Sequence, residues 1–336
     1  MTGRERCLAA IRGEEADRVP VFPLLMFFAQ KRLGVSYREF ATDGEVTAEA
    51  QLAMAARFDI DAITACTDAF RLVADLGARM VFPEDKPPFA AEPMVRGSSD
   101  LGRLPKPDPT ARGSRMADRC LACAEMVRHS AGETLVLGWV DMPFAEACSL
   151  CGLSEFMVML YDSPTLAHRI LGFLTERVIE FALAQLATGI DGVGAGDAAA
   201  SLVSRQHYRE FAQPYERRVV EAVHAAGKLL KLHICGNTTA LLDDMAAVRA
   251  DLYNVDHLVD LGVARAAYGR HGLCFKGNLD PVADLLQATP QRCLDRCRQC
   301  LETTRGSRYM LSPGCEIPAD THDEVFGVFC DAPLLG

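Results

Sequence analysis

The chain has 336 residues, 49% of them apolar, with 45 acidic and 35 basic side chains and a formal net charge of −10. That acidity excludes nucleic acid or an anionic membrane as the main partner, because phosphate binding needs clustered Lys and Arg. No apolar run reaches the roughly 18–20 residues of a membrane span, and the opening MTGRERCLAAIRGEEADRVP lacks the apolar core of a signal peptide, so a cytoplasmic location is expected.

Thr2 to Glu5 forms a capping box that opens a helix with Leu8 and Ile11 on one face. Eight short apolar runs with strand character follow: RVPVFPL (18–24), DIDAITA (59–65), TLVLGWV (134–140), GIDGVGAG (189–196), KLLKLHI (228–234), DLYNVD (251–256), GLCFKGN (272–278) and SRYMLSP (307–313). Between them lie amphipathic segments such as PTLAHRILGFLTERVIEFALAQLATG and REFAQPYERRVVEAVHAAGK, each running out at a Gly as helix C-caps do. Strands that alternate with helices and are apolar on both faces imply a parallel sheet. Eight of them predict an α/β fold of the (β/α)8 TIM-barrel type, one domain over residues 1–336 with an N-terminal helical extension. An open doubly wound sheet is the structural alternative. The interval 66–133 holds the Pro-rich VFPEDKPPFAAEP and reads as an insertion after the second strand, decorating the barrel top.

Polar residues collect where the strands stop, among them Asp68, Asp141, Asp197, His233 and Asn278. In a barrel these ends converge on one face, where active sites are built. Within KLLKLHICGNTT (228–239), His233 and Cys235 stand two apart on a strand end and so face the same way. Gly236 and Asn237 then turn the backbone, and the Pro313-Gly314 turn signal places Cys315 on a loop over the same mouth. The thirteen cysteines are scattered and odd in number, so free thiols and a metal site are expected in a reducing compartment. One imidazole and two thiolates suit zinc, and three protein ligands with a fourth position open form the catalytic pattern. The competing reading is a core histidine beside two small buried thiols.

Asp256, closing the sixth strand, is the carboxylate expected to fill the open metal position without substrate, with a helix cap as its other role. Asp197, after GVGAG, and Asn237 are candidates for orienting substrate, or else caps. GVGAG lacks the third Gly of a dinucleotide fingerprint. The Cys120/Cys123 and Cys297/Cys300 pairs lie on helical patterns and read as spaced thiols without a metal role, while His207 and His257 read as surface or capping residues.

On these residues the chain resembles the uroporphyrinogen decarboxylase superfamily and, within it, the cobalamin-dependent methyltransferases of the methylcorrinoid:coenzyme M type. The likeness covers nearly the whole length and rests on RERCLAAIRGEEADRVPV, FDIDAITACTD, LGARMVFPEDKPP, GDAAASLVSRQHYREFAQPY, KLLKLHICGNTT and SPGCEIP. It implies Zn2+ on His233, Cys235 and Cys315, with a small thiol as methyl acceptor. It also implies methylcobalamin or another methylated corrinoid as donor, carried by a separate corrinoid protein, since no D-x-H-x-x-G motif occurs here. Tetrahydrofolate is the alternative acceptor, and a tetrapyrrole-binding barrel without methyl transfer is the further alternative. Decarboxylases of the superfamily carry near their start a paired-Arg motif that grips substrate carboxylates. The corresponding stretch here is FPLLMFFAQKRLG, with Lys31 and Arg32 arriving late, so uroporphyrinogen decarboxylation is not expected.

Overall fold

In a computed structural model that describes residues 1–335, seven strands pair in parallel along one curled sheet. They are β1 (Ala62–Thr64), β4 (Leu135–Asp141), β5 (Gly192–Gly196), β6 (Leu229–His233), β7 (Leu252–Asn254), β8 (Cys274–Leu279) and β9 (Tyr309–Pro313), neighbours in that order. The short strands β2 (Met80–Val81) and β3 (Phe89–Ala90) form a separate antiparallel hairpin within the predicted insertion. Helices fill the crossovers. The longest, Pro164–Leu186, buries Ile170, Leu171, Leu174, Val178 and Phe181 at the three- and four-residue spacing that makes one apolar stripe. Its Pro164 sits in the first turn, where a missing N–H costs nothing.

The predicted first strand departs from the expectation of eight regular strands. Residues 18–24 contribute two isolated parallel bridges, Val21 to Leu311 and Leu24 to Glu316. Pro20 and Pro23 have no N–H to give and interrupt the ladder on that side. The segment still occupies the eighth place. Phe22 N–H donates to Leu311 O (3.0 Å) and Leu311 N–H to Pro20 O (2.8 Å) on one side, while Asp61 N–H donates to Val21 O (3.0 Å) on the other. The barrel therefore closes between β9 and β1 through a strand with most of its ladder missing.

Two buried charges stand in for the missing ladder. Lys276, inside the barrel on β8, donates to Phe22 O (2.7 Å) and Ser312 Oγ (2.9 Å). Asp61, just before β1, accepts from Val21 N–H (2.6 Å), from Arg18 (2.7 Å) and from Arg6. Arg6 belongs to the N-terminal helix Gly3–Arg12, whose Thr2/Glu5 capping box forms as expected. That helix plugs the barrel's N-terminal end, packing Cys7 and Ala10 against Phe22, Leu137, Cys274 and Met310. The opposite end remains open beneath the β2–β3 hairpin. Among the described residues no single helix is long and apolar enough to cross a membrane.

Asp61→Ala leaves the buried Val21 N–H without an acceptor and takes from Arg6 and Arg18 their one buried carboxylate, leaving Arg18 only the exposed Asp59 (3.3 Å), at a cost of about 3–5 kcal/mol. Urea unfolding of the variant measures this directly. A loss below about 1 kcal/mol would mean that closure does not depend on Asp61.

Candidate metal centre

The strand alternation of β6 turns His233 and Cys235 the same way, and the loop after β9 brings Cys315 to them. Cys235 Sγ lies 2.9 Å from His233 Nε2, and Cys315 Sγ lies 3.6 Å from both Cys235 Sγ and His233 Nε2. Bonds of about 2.0–2.3 Å in a tetrahedral zinc site put ligand atoms roughly 3.5–3.7 Å apart. Two of the three separations already match. Among the described residues this is the one group of three or more His, Cys, Asp or Glu whose donor atoms lie within 4.8 Å of one another.

The two thiols lie within hydrogen-bonding reach of each other, and Cys315 is the more acidic of the pair. The hydrogen bond with Cys235 pushes Cys315 down to about 3 against burial, with His233 helping, while that same bond and burial hold Cys235 well above an ordinary thiol. A thiolate, a thiol and an imidazole converging on one point form a donor set that a divalent, thiophilic ion completes by displacing the last proton. The fit to zinc is good in atoms and spacing. His233 Nδ1 has no protein acceptor, so the site lacks the outer hydrogen bond that usually fixes the tautomer of a metal-bound imidazole.

The loop carrying Cys315 is clamped from below. Asn254 Nδ2, at the end of β7, donates to Gly314 O (3.0 Å), and Gly314 N–H donates to Leu279 O (2.8 Å). No larger residue fits at 314, because a Cβ there would stand 2.3 Å from His257 N.

A cavity of about 600 Å³ opens in front of the triad. Its floor is Trp139, the single tryptophan, on β4. The indole lies across β5: a Cβ on Gly194 would come within 2.7 Å of Trp139 Cε3, and one on Gly196 within 3.1 Å of Trp139 Cζ2. The glycine alternation in GVGAG therefore makes a bed for an aromatic ring. Leu24, Met26 and Cys66 pack with Trp139 and keep this side apolar. Beneath the ring, the buried Lys231 ammonium sits 4.6 Å from its centroid with no hydrogen-bond partner in the protein. A larger hollow of about 770 Å³, lined by Arg298, Arg305 and Tyr309 near the start of β9, carries none of the metal-ligating residues.

Three expected site residues take other roles. Asp256 stands outside the triad, with Oδ2 accepting from Gly236 N–H (2.9 Å) and Oδ1 from Leu258 N–H (2.9 Å). Both oxygens are engaged by the main chain, so Asp256 fixes the turn after Cys235 in this structure. Asn237 is exposed and caps its own turn, accepting from Thr239 N–H (3.1 Å) and Thr239 Oγ1 (2.7 Å). Asp197 is fully buried behind the cavity wall, where Oδ1 accepts from Ala145 N–H (2.8 Å).

Asp197 faces a second buried carboxyl, Glu216, which accepts from Tyr208 Oη (2.5 Å). Burial and the Glu216 charge push the Asp197 carboxyl well up, and burial raises Glu216 to about 7. Sequence reading placed Asp141 at a strand end on the active face without giving it a role, and missed Trp139 beside it on β4. It also missed the clamp on Asp68, whose carboxylate takes two bonds from Arg115 (2.9 and 3.0 Å). The visible signal was W-x-D on one strand opposite G-x-G-x-G on the next.

The Asp197–Glu216 pair keeps protons that the unfolded chain releases above about pH 4. Folded pKa values above unfolded ones give a stabilisation that is complete at low pH and lost as pH rises through about 7. The melting temperature of the wild type should therefore fall more steeply between pH 5 and 8 than that of Asp197→Asn. Parallel slopes would show that the pair holds no such proton.

Relatives share this framework. The chain is 26% identical over 307 residues to a protein named uroporphyrinogen decarboxylase from Methylococcus capsulatus, covering 88% of this chain and 85% of that one. A protein of the same name from Rhodococcus opacus is 29% identical over 287 residues, covering 82% of this chain and 79% of the other. Among solved structures, a methyltransferase from Methanosarcina mazei superposes with a TM-score of 0.90 over 100% of this chain and 99% of that one, at 22% identity, a likeness of fold. The family model described as Uroporphyrinogen decarboxylase (URO-D) matches residues 2–333, and the chain belongs to that family.

Proposed function

We propose that this member of the URO-D family is a zinc-dependent methyltransferase that moves a methyl group from a methylated corrinoid to a small thiol. The observation that carries the reading is the nitrogen-and-two-sulfur triad, with one face turned to a closed-bottomed cavity. Zinc bound there would supply the Lewis acidity that keeps a coordinated acceptor thiol deprotonated at neutral pH.

The chain's own residues do the rest. His233 Nε2, Cys235 Sγ and Cys315 Sγ would hold the ion, and Asn254 and Asp256 hold the two loops on which the cysteines ride. Trp139, Leu24 and Met26 exclude water from the space where the methyl group passes. A methylated corrinoid would supply the methyl group, with the acceptor's S–C bond forming at the expense of the donor's bond to that methyl and the electron pair remaining on the donor. The donor arrives on a separate corrinoid protein. Leu202, Leu258 and Val282, in the segments that follow β5, β7 and β8, are 66%, 56% and 46% exposed and give that partner an apolar rim.

The Methanosarcina mazei methyltransferase, similar in fold over the whole chain, supports the reading. The curated relatives bear the name of a decarboxylase acting on a tetrapyrrole with several carboxylates. Such a substrate needs several cationic contacts, and among the described residues no Lys or Arg lines the cavity. Tetrahydrofolate remains the other acceptor, but a sulfur-binding metal centre activates a thiol directly.

Zinc analysis is the first test. Wild-type protein should bind one zinc, and Cys235→Ala and Cys315→Ala should bind it at least about tenfold more weakly, with melting temperatures close to wild type and methyl transfer from methylcobalamin lost. Gly314→Ala should do the same without touching a ligand, by pushing the Cys315 loop off its clamp. Full zinc occupancy in Cys315→Ala would remove the triad from the mechanism. Incubation with uroporphyrinogen should give no coproporphyrinogen, and clear turnover would return the chain to decarboxylation.

A further inference from the structure

The triad determines where the acceptor's sulfur goes and leaves the far end of that molecule unassigned. The cavity's charged groups are the place to look for it. Three carboxylates line the wall, Asp68, Glu92 and Asp141, with no Lys or Arg among the described lining residues. Two of the three are already matched. Asp68 is neutralised by Arg115 and also accepts from Phe70 N–H (3.0 Å) and Thr67 Oγ1 (2.8 Å). Glu92 sits at the rim, 59% exposed and 3.5 Å from Arg79.

Asp141 is different. Among the described residues its carboxylate has no ion pair with a Lys or Arg, and the neighbouring Trp139 indole offsets only part of the cost of its burial. Arg119, whose charge acts on it, turns its N–H groups elsewhere, to Thr67 Oγ1 (2.9 Å) and to the main-chain oxygens of Asp68 (3.1 Å) and Trp139 (3.1 Å). Lys231 lies beneath the indole, off the cavity lining. Burial pushes the Asp141 carboxyl up to about 7, with Arg119 offsetting part of that and Asp68 adding to it. A carboxylate that is disfavoured as a lone anion gains most from a cation placed against it.

Register gives the distance. Asp141 pairs with Gly196 and Gly196 pairs with His233, so the three form one row across β4, β5 and β6. Two strand spacings separate the Cα atoms of Asp141 and His233 by about 9–10 Å. Gly196 between them has no side chain, and the edge of the Trp139 indole and Asp141 Oδ1 lie over it, 3.1 and 3.2 Å from where a Cβ would stand, so the Asp141 carboxylate leans along the row toward His233. After both side chains reach inward, a ligand with two to four atoms between its ends spans what remains.

We propose that the methyl acceptor is a small aminothiol, its sulfur at His233, Cys235 and Cys315 and its ammonium on Asp141. Thiols ending in sulfonate, carboxylate or phosphate are selected against, because their anion would be desolvated beside Asp141 with no cation to meet it. Asp141 acts here as a specificity residue, through a charge-assisted hydrogen bond. The assignment rests on the methyltransferase reading for its chemistry, but its binding half stands apart from any turnover.

The test uses the zinc-loaded protein and three thiols on the same two-carbon frame: 2-aminoethanethiol, 2-mercaptoethanol and 2-mercaptoethanesulfonate. Calorimetric titration should show the aminothiol binding about tenfold tighter than the alcohol and about a hundredfold tighter than the sulfonate. Asp141→Asn should bring the three within about threefold of one another, with zinc stoichiometry and melting temperature held. Asp141→Ser serves the same purpose if the first variant folds poorly. The kcat/KM values for methyl transfer from methylcobalamin should follow the binding order. A sulfonate that binds as tightly as the aminothiol, or an Asp141→Asn effect equal on all three, overturns the assignment. The expected binding order with no thiol methylated upholds Asp141 and overturns the methyltransferase reading. Methylation that prefers the sulfonate does the reverse.

Discussion

The parallel register of β4, β5 and β6 is the constraint on which the site depends. In a parallel sheet the side-chain period is two, and a slip of one residue sends every group to the other face. Pairing Asp141 with Gly196 and Gly196 with His233 sets one row at the open end, and Trp139, Gly194 and Lys231 form the row beneath it. A shift of β5 by one residue would put Ala195 under the indole and leave Trp139 nowhere to lie. The glycines of β5, often a weakness in a strand, here lock the register, because the aromatic ring fits over them in one alignment.

Closure of the barrel and construction of its mouth are linked through the same irregular segment. Residues 18–24 lose their ladder to Pro20 and Pro23, yet the chain keeps them in place with Lys276 and Asp61, two buried ionisable side chains that bond to the segment's main chain. A regular strand would have needed neither. Leu24 and Met26, at the upper end of this segment, become the apolar side of the cavity. Buried ion pairs are weak sources of net stability, and their value here is that they specify which backbone groups meet.

How much of this could be read beforehand follows from what each signal requires. Seven apolar runs are strands in the places expected, since alternation with amphipathic helices needs only local periodicity. The eighth fails where two prolines override apolar character. His233, Cys235 and Cys315 were legible because a period-two pair and a Pro-Gly turn are geometric statements already present in the chain. Asp256, Asn237 and Asp197 were not, because an acidic or amide residue at a strand end serves equally as cap, ligand or buried acid. What separates these roles is which main-chain N–H groups lie nearby, and that is a property of the folded loops. Trp139 was legible only jointly with β5: neither a lone Trp nor a G-x-G-x-G run says much until the two strands are known to be neighbours.

The charge pattern of the cavity is what carries the proposal of a chemistry other than that in its relatives' names. One barrel can serve a polyanionic tetrapyrrole or a small thiol, because the fold supplies only a ring of strand ends and a closed bottom. Selection between them lies in the sign of the groups that reach the cavity. This chain does contain cations close by, Arg115, Arg119 and Lys231, but each is turned away: Arg115 onto Asp68, Arg119 onto main-chain oxygens, Lys231 beneath an indole face. Positive charge held behind the wall stabilises buried thiolates and carboxylates without being able to grip a ligand. A lining that presents carboxylates and sulfur to the solvent side, with its cations kept behind, is suited to a divalent metal ion and to whatever cationic group accompanies the acceptor thiol.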